Sequence, residues 1–540
     1  MGSMNWRGWI CIAILSICVL LAVTGCSSPE DAIYERVMAQ VGGNNDADPT
    51  YAFTTLTLTP PYYPELAQST PVPGDTLSGE LLIKGFRENR DPPEVYWLAR
   101  EFMELHPNVT ITLNFNNSTY EILTPEAWAR RKSDYYTQTR ADLASGQADY
   151  LLFSAANDLD LYSLSQSGVL QDMRERWETD PDIADHDRFF SEVIDGFMVD
   201  GKLTVMPYSF TIPGVYLNRE MLEELGIREE EISTVSTAEL LDWYERAREK
   251  HPDLQLLYNG QDRSLLFDLE KLHYINLDSG AVRFQDPDFL RFLERSASAI
   301  LKPPVLASPW ETNLASGLYM EATSMYQETG DIPVSIELME KHGYPDYAEM
   351  VRTDQVSFAV VGELGVYESL GLMQPPLAHL AGPFPLTAPG GQLGLSTYYT
   401  DFIMPSSLKN SDIAWEFMKY CMSDRKNLKF EGYGFTGCFY YDGSALSINK
   451  KNLAAKVEHV LVHGTDGGNI LGFEQNHFGH TTGEEIVARL EEILSHSPTS
   501  LGLYNVDVQD FLNEYYINKL TTPEQCARKI QDRVMIWLNE

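Results

Sequence analysis

Residues 81–115, LLIKGFRENRDPPEVYWLAREFMELHPNVTITLNF, decide the fold class of this chain. Leu81-Leu82-Ile83 is an apolar run typical of a buried strand, and a loop follows it at residues 86–90. Asp91-Pro92-Pro93-Glu94 then favours the start of a helix, since Asp91 can cap it and Pro92 suits its first turn. The helix itself is predicted by apolar residues at helical spacing, namely Val95, Leu98, Phe102 and Leu105.

A second strand is predicted directly after this helix. His106-Pro107 ends the helix, because proline cannot continue it. Beyond it, polar residues alternate with apolar ones, which is the period-two pattern of a strand with one buried face. The apolar members are Val109, Ile111, Leu113 and Phe115. A strand, a helix and a strand of these lengths predict a βαβ unit with two parallel strands.

The same alternation continues along the chain. We predict a helix over about 125–145, a strand over 150–153 and a helix over about 158–166. Capping boxes precede two later helices, at Ser236–Glu239 and Thr522–Gln525. Strands that alternate with helices in this way predict an α/β fold with a mainly parallel sheet.

The first 26 residues are predicted to be a lipoprotein signal peptide. Arg7 supplies a positive charge, and the apolar stretch over about 10–23 is too short for a spanning helix. It ends in Leu21-Ala22-Val23-Thr24-Gly25-Cys26, which resembles a bacterial lipobox and predicts lipidation of Cys26. A plain secretory signal or an uncleaved anchor is the alternative. Residues 27–78 carry a glycine-asparagine run and several prolines, and are predicted to be a flexible tether.

Composition excludes some partners and some chemistry. Lys plus Arg number 40 and Asp plus Glu number 78, so the net charge of −38 repels nucleic acid and anionic lipid. After signal cleavage and lipidation Cys421, Cys438 and Cys526 remain, an odd number that argues against a disulfide framework. The sequence carries no nucleophile elbow, zinc-protease motif or P-loop. We therefore predict no catalytic residues, no metal site and no cofactor.

Several stretches of the sequence follow one another in an order that is typical of one protein family. They are Leu81–Phe115, Asp149–Phe153, Leu164–Asp172, Asp200–Pro207, Val215–Arg219, Asn276–Gly280 with Phe284, Thr400–Lys409 and Ala414–Met418. In this order they resemble segments of the extracellular solute-binding protein family that includes maltose-binding protein. In the stretch DGKLTVMP, Thr204 and Val205 depart from the family pattern, which has a tyrosine and a small residue there. The resemblance spans roughly residues 80–540 and is poorer over 300–395.

This resemblance implies an α/β, two-lobed, periplasmic-binding-protein-like (type II) fold with discontinuous lobes and a hinge. It places lobe 1 at residues 79–208 and 354–437, and lobe 2 at residues 209–353 and 438–540. The chain would cross between the lobes near 208–214, 351–360 and 437–443. The ligand would lie between the lobes, and its binding would drive hinge closure.

Candidate ligand-binding residues follow from the rule that ligands approach the carboxyl ends of strands in α/β sheets. A sugar offers flat C–H faces and a rim of hydroxyls, so its site needs aromatic platforms and planar polar groups. Tyr504 is a candidate by resemblance, because a sugar-stacking aromatic lies in that region of the maltose-binding relatives. The other candidates lie at predicted strand ends or crossings: Arg87, Glu88, Asn89, Asn157, Asp158, Tyr208, Phe210, Tyr398, Tyr399, Asp401 and Tyr433.

The resemblance implies a substrate-binding lipoprotein of a bacterial ABC importer with a carbohydrate ligand. Its partners would be the small-molecule ligand, the permease subunits and, through the lipid alone, the membrane. The protein would be a monomer on the extracytoplasmic face of the cell membrane. Two other functions stay open: a surface lipoprotein enzyme that acts on glycosides, and a lipoprotein that senses a ligand for a sensor kinase.

Overall fold

In the computed structural model the chain separates into two units, Met1–Leu56 and Thr57–Glu540, and the fold described below belongs to the second. The predicted signal peptide, with Cys26, lies outside the described residues. A short strand, β1 (Thr54–Thr57), falls within the predicted tether. The structure describes residues 54–57, 71–86, 94–116, 125–153, 159–252, 254–257, 263–300, 357–366, 380–397, 401–424, 445–463, 481–496 and 498–539.

The described ranges contain fourteen α-helices and three short 3-10 helices. The α-helices are α1 (Glu94–Leu105), α2 (Pro125–Ala144), α3 (Leu161–Ser167), α4 (Arg174–Thr179), α5 (Ser191–Asp195), α6 (Arg219–Leu225), α7 (Thr237–Lys250), α8 (Arg263–Tyr274), α9 (Pro287–Ile300), α10 (Ser411–Met422), α11 (Lys450–His463), α12 (Gly483–Leu494), α13 (Gln509–Tyr516) and α14 (Pro523–Trp537). The 3-10 helices are His186–Arg188, Glu229–Glu231 and Leu501–Tyr504.

The strands alternate with these helices for most of the chain. They are β2 (Gly79–Phe86), β3 (Val109–Asn116), β4 (Leu151–Phe153), β5 (Met198–Val199), β6 (Lys202–Leu203), β7 (Val205–Pro207), β8 (Ser209–Phe210), β9 (Ile212–Asn218), β10 (Val235–Ser236), β11 (Gln255–Leu257), β12 (Ile275–Asn276), β13 (Ala281–Val282), β14 (Ser357–Leu364), β15 (Leu380–Thr387), β16 (Gly394–Leu395), β17 (Asp401–Ile403), β18 (Leu446–Ser447) and β19 (Thr499–Ser500).

The βαβ unit predicted from residues 81–115 is confirmed. β2 and β3 pair in parallel over their full lengths, with Gly79 opposite Val109 and Phe86 opposite Asn116. β4 joins the other side of β2, also in parallel. β17 then pairs antiparallel with both β4 and β7. Within the second unit, the first sheet therefore places β3, β2, β4, β17 and β7 side by side.

The second sheet is organised around β9, whose seven residues are all buried. β9 pairs antiparallel with β14 on one side and β15 on the other, while β11 and β10 form the parallel edges. Gly214 of β9 lies directly under Leu364. A Cβ at Gly214 would come within 2.3 Å of the Leu364 Cδ2 atom, so this close approach requires glycine.

The chain alternates between the two sheets. β2, β3, β4 and β7 belong to the first sheet, the second sheet consists of β9, β10, β11, β14 and β15, and β17 returns to the first. Each lobe is therefore assembled from separate segments, which confirms the α/β fold with two discontinuous lobes. Two small pairings, β8 with β18 and β16 with β19, attach later segments near the crossings. The predicted third crossing, 437–443, lies outside the described residues.

Local sequence signals set several helix ends. The helix predicted over about 158–166 begins later, at Leu161, because the Asp160 Oδ1 atom accepts a hydrogen bond from Ser163 N at 3.1 Å and caps it. Both predicted capping boxes are confirmed, at Ser236 before α7 and at Thr522 before α14. Among the helices described, none is both long enough and apolar enough to cross a membrane.

Candidate functional site

The first crossing between the sheets brings a set of polar and aromatic side chains together. We call Tyr208, Thr211, Glu363, Thr397 and Asp401 the crossing cluster. Tyr208 follows β7, and its ring centroid lies 5.7 Å from that of Phe402 and 6.1 Å from that of Phe153. The three rings form one aromatic group at the end of the first sheet. Tyr208 is buried, with 5% of its surface exposed.

Thr211 and Glu363 join the crossing to the second sheet. The Thr211 Oγ1 atom donates a 2.7 Å hydrogen bond to Glu363 Oε2. The Thr211 backbone also exchanges two hydrogen bonds with Ser396, at 2.8 and 3.1 Å. Glu363 is half-buried on β14, opposite Pro213 of β9. The Thr211 hydroxyl therefore orients the Glu363 carboxylate, which lies on β14, the strand beside β9.

Asp401 provides a second carboxylate, on the first-sheet strand β17 that pairs with β7. It begins β17, lies opposite Pro207 and is fully buried. The Thr397 Oγ1 atom donates to Asp401 Oδ1 at 3.2 Å. A buried carboxylate needs hydrogen-bond donors, and the Thr397 hydroxyl supplies one to Asp401. The crossing cluster thus combines aromatic surface with two carboxylates held by threonine hydroxyls.

Phe210 takes a different place from its neighbours. It belongs to β8, pairs with Leu446 of β18 and has no exposed surface. Its ring packs edge-on against Phe190, with centroids 5.6 Å apart. Phe210 therefore packs the core beneath the crossing.

The sequence profile of the bacterial extracellular solute-binding protein family matches residues 129–439, which is more than half of the chain. The chain belongs to this family. Comparison with curated protein sequences gives no match. The profile match covers the crossing and most strands of both sheets, so the family assignment and the observed interleaved topology agree.

Solved structures similar to this family member cover nearly its whole fold at low identity. A cyclic alpha-maltosyl-1,6-maltose binding protein from Arthrobacter globiformis is 12% identical with a TM-score of 0.46, covering 85% of this chain and 99% of that one. The ABC substrate-binding protein Lmo0181 from Listeria monocytogenes, in complex with cycloalternan, is 12% identical with a TM-score of 0.46, covering 86% and 99%. An extracellular solute-binding protein family 1 member from Alicyclobacillus acidocaldarius is 14% identical with a TM-score of 0.44, covering 87% and 100%.

Tyr504 of this solute-binding protein lies apart from the crossing cluster. It ends the 3-10 helix Leu501–Tyr504, and its carbonyl accepts a 2.9 Å hydrogen bond from the Lys271 Nζ atom. Burial, and then the nearby Asp278 carboxylate, raise the pKa of the Tyr504 hydroxyl to about 12. Tyr504 also lines a separate cavity, together with Asp195, Asp200 and Asp278.

The remaining predicted site residues lie outside the described residues, and their assignment stays a prediction. They are Arg87, Glu88, Asn89, Asn157, Asp158, Tyr398, Tyr399 and Tyr433. Sequence reasoning missed Thr211, Glu363 and Thr397. The available signal was a polar residue within an otherwise apolar strand, as Glu363 is in SFAVVGEL. Within the described ranges, no group of three His, Cys, Asp or Glu side chains could hold a metal ion.

Proposed function

We propose that this protein is a carbohydrate receptor that serves a bacterial ABC importer from the extracytoplasmic face of the membrane, anchored through lipid on Cys26. The observation that carries the proposal is the crossing cluster, which lies where the chain passes between the two lobes. A ligand held there touches both lobes, and it binds best to the lobe arrangement that offers both sets of contacts. Binding therefore favours a closed arrangement by differential affinity.

The chemistry of the crossing cluster supports a sugar or polyol. Thr211 and Thr397 donate hydrogen bonds to the Glu363 and Asp401 carboxylates at 2.7 and 3.2 Å. A preorganised carboxylate binds vicinal hydroxyls without reorientation. The ring of Tyr208 continues an aromatic group, and aromatic faces suit the C–H surface of a sugar ring. A site of two fixed carboxylates beside aromatic surface thus matches the two faces of a sugar.

The two alternative functions make different predictions. A glycoside-active enzyme would release shorter products from oligosaccharides, whereas a receptor returns them unchanged. A lipoprotein that senses the ligand for a sensor kinase would bind the ligand but would not support its uptake. We therefore expect a thermal-shift screen of mono- and oligosaccharides to find a stabilising sugar, because a ligand that binds only the folded state raises Tm by mass action. Cleavage of that sugar would indicate the enzyme instead. Binding without permease-dependent uptake would indicate the sensor.

The crossing cluster can be tested with a single isosteric change. Thr211→Val keeps the shape of a buried side chain and removes the hydroxyl that orients Glu363. We expect the affinity for the screened sugar to fall about tenfold or more, as is usual when a hydrogen bond to a charged group is lost. Isothermal titration calorimetry measures the change. Small-angle scattering of the wild-type protein should also show a smaller radius of gyration with ligand.

A matched control separates binding from stability. Thr139 on α2 is also a buried threonine, and its Oγ1 atom donates a 2.9 Å hydrogen bond to the Tyr135 carbonyl. Thr139→Val should lose a similar amount of stability, about 1 kcal/mol, without loss of affinity. If Thr211→Val and Thr139→Val bind the sugar with equal affinity, the ligand does not bind at the crossing cluster.

Lipid attachment is tested by Cys26→Ser. A serine cannot form the thioether that carries the diacylglyceryl group, so the precursor should take up no labelled fatty acid and should not be processed at that site. The wild-type protein should partition into the detergent phase after labelling, whereas the variant should not. Normal acylation of the variant would contradict the lipoprotein assignment.

A further inference from the structure

Helix α3 is attached to the first sheet. It follows β4, and its Ser165 Oγ atom lies 2.6 Å from the Thr204 Oγ1 atom, in a hydrogen bond between two buried hydroxyls. Thr204 directly precedes β7. Just beyond α3, the Gln171 N–H donates a 2.7 Å hydrogen bond to the carbonyl of Met404, which follows β17. These bonds make α3 part of the lobe that contains the first sheet.

The terminal helix α14 is attached to the second sheet instead. It packs on α9, and α9 packs on β11, an edge strand of that sheet. The Gln531 side chain of α14 also makes two hydrogen bonds of 2.8 Å with the segment around β13. Its amide donates to the Val282 carbonyl, and its oxygen accepts from the Phe284 N–H. α14 therefore belongs to the lobe that contains the second sheet.

Four residues join these two lobes, and we call them the lobe contact: Asp160, Tyr162, Leu277 and Trp537. The indole of the buried Trp537 donates a 2.8 Å hydrogen bond to Asp160 Oδ2, and its ring lies 5.2 Å from the Tyr162 ring. The Tyr162 hydroxyl lies 3.5 Å from the carbonyl of Leu277, in the turn between β12 and β13. The lobe contact shares no residue with the crossing cluster.

The crossing cluster is closed to solvent in the same arrangement of the lobes. Tyr208, Thr211, Thr397 and Asp401 are all buried. A sugar reaches these side chains only if the two lobes move apart, by the hinge motion that opens a cleft between lobes. The arrangement that contains the lobe contact is therefore the closed one, and the protein has to leave it before a sugar enters.

We propose that the lobe contact is a latch that forms only when the lobes are closed, and that it thereby sets the affinity of the crossing cluster for its sugar. The inference rests on the proposed function and adds to it a control of closure by named residues. A contact made in one arrangement and absent from the other shifts the equilibrium between them by its own free energy. The sugar supplies the remainder, so the sugar-free protein populates both arrangements and the sugar-bound protein populates the closed one.

The test is small-angle scattering of the full mature protein without sugar. Trp537→Phe keeps an aromatic ring and removes the hydrogen bond to Asp160. We expect the ratio of closed to open protein to fall about tenfold, as is usual when a hydrogen bond to a charged group is lost, and the radius of gyration to rise. Asp160→Asn should produce a smaller rise, because the indole keeps a neutral acceptor and α3 keeps a capping side chain.

Titration with the stabilising sugar of the thermal-shift screen then connects the latch to binding. At saturation both variants should reach the wild-type radius, because the sugar closes the lobes through the crossing cluster. The apparent affinity for that sugar should fall by at most the same tenfold, because a smaller fraction of each variant is closed before the sugar binds.

Two matched controls separate closure from stability. Thr139→Val loses a buried hydrogen bond within α2, and Ile536→Ala changes an exposed neighbour of Trp537, so both should keep the wild-type radius without sugar. A Trp537→Phe protein that is less stable but has the wild-type radius would overturn the proposal, as would an equal rise in Thr139→Val. A larger radius in Trp537→Phe alone, in a protein that binds no sugar, would support the latch and overturn the sugar assignment.

Discussion

Glu270→Gln will stabilise the protein at pH 8 and remove a large part of its pH dependence. Glu270 lies on α8 with 1% of its surface exposed. One carboxyl oxygen accepts a hydrogen bond from the Thr237 hydroxyl, and the other has no hydrogen-bond partner among the described residues. Burial raises the pKa of Glu270 to about 8, although the Thr237 hydrogen bond opposes the shift. Among the described residues, the Glu270 charge acts on the hydroxyls of Tyr274 and Tyr516, and neither of these supplies a cation.

The sign of the effect follows from proton linkage. The ordinary pKa of a glutamate is 4.5, so between about pH 4.5 and pH 8 the folded state holds a proton that the unfolded state has released. Stability must then fall as pH rises, by about 1.4 kcal/mol per pH unit at most, and level off above the folded pKa. Glutamine is neutral throughout, so the variant avoids this loss. At pH 8 we expect a gain of a few kcal/mol, and near pH 5 almost none.

Chemical denaturation at pH 5, 6, 7 and 8 measures the difference between wild type and Glu270→Gln. Glu294→Gln on α9 is the control, since it removes an exposed carboxylate of the same type and should change stability little at every pH. Parallel pH profiles for Glu270→Gln and the wild type would show that the Glu270 carboxyl is ionised in the folded protein at neutral pH, contrary to the prediction.

Local features of this fold could be predicted from the sequence, because the interactions that set them span only a few residues. The βαβ unit, both capping boxes and the terminal helix followed from spacing and capping chemistry. The start of α3 was predicted a few residues too early, as is common for helix boundaries. Asp158 and Asp160 both suit a cap, and only the side-chain geometry at Asp160 decides between them.

The crossing cluster shows what local reasoning misses. Thr211 and Glu363 lie 152 positions apart, and their hydrogen bond depends on the register of β9 against β14. Nothing near either residue encodes that register. Asp401 and Tyr208 were predicted because both lie at strand ends, a property that sequence can indicate. Glu270 was also beyond local reasoning, since a glutamate within a helix is usually solvated and only tertiary packing buries this one.

The last turn of α14 packs against the start of α3. Trp537 of α14 is buried, with 2% of its surface exposed, and its Nε1 atom donates a 2.8 Å hydrogen bond to Asp160 Oδ2. The same aspartate caps α3 through its other oxygen. The Tyr162 ring lies 5.2 Å from the Trp537 ring. α14 also packs on α9, so one indole connects α3, which precedes the first crossing, to helices that follow it.

Trp537→Ala should therefore destabilise the protein by about 3–5 kcal/mol, the range for truncating a buried aromatic side chain. Trp537→Phe keeps most of the buried surface and loses the hydrogen bond to Asp160, so it should cost about 1–2 kcal/mol. Asp160→Ala combined with Trp537→Phe should cost less than the sum of the single changes, because both remove the same bond. Ile536→Ala, at a neighbouring side chain that is 55% exposed, should stay within about 0.5 kcal/mol of the wild type. Chemical denaturation gives all five values, including that of Asp160→Ala alone. A Trp537→Ala variant as stable as Ile536→Ala would show that the contact of α14 with α3 does not stabilise the fold.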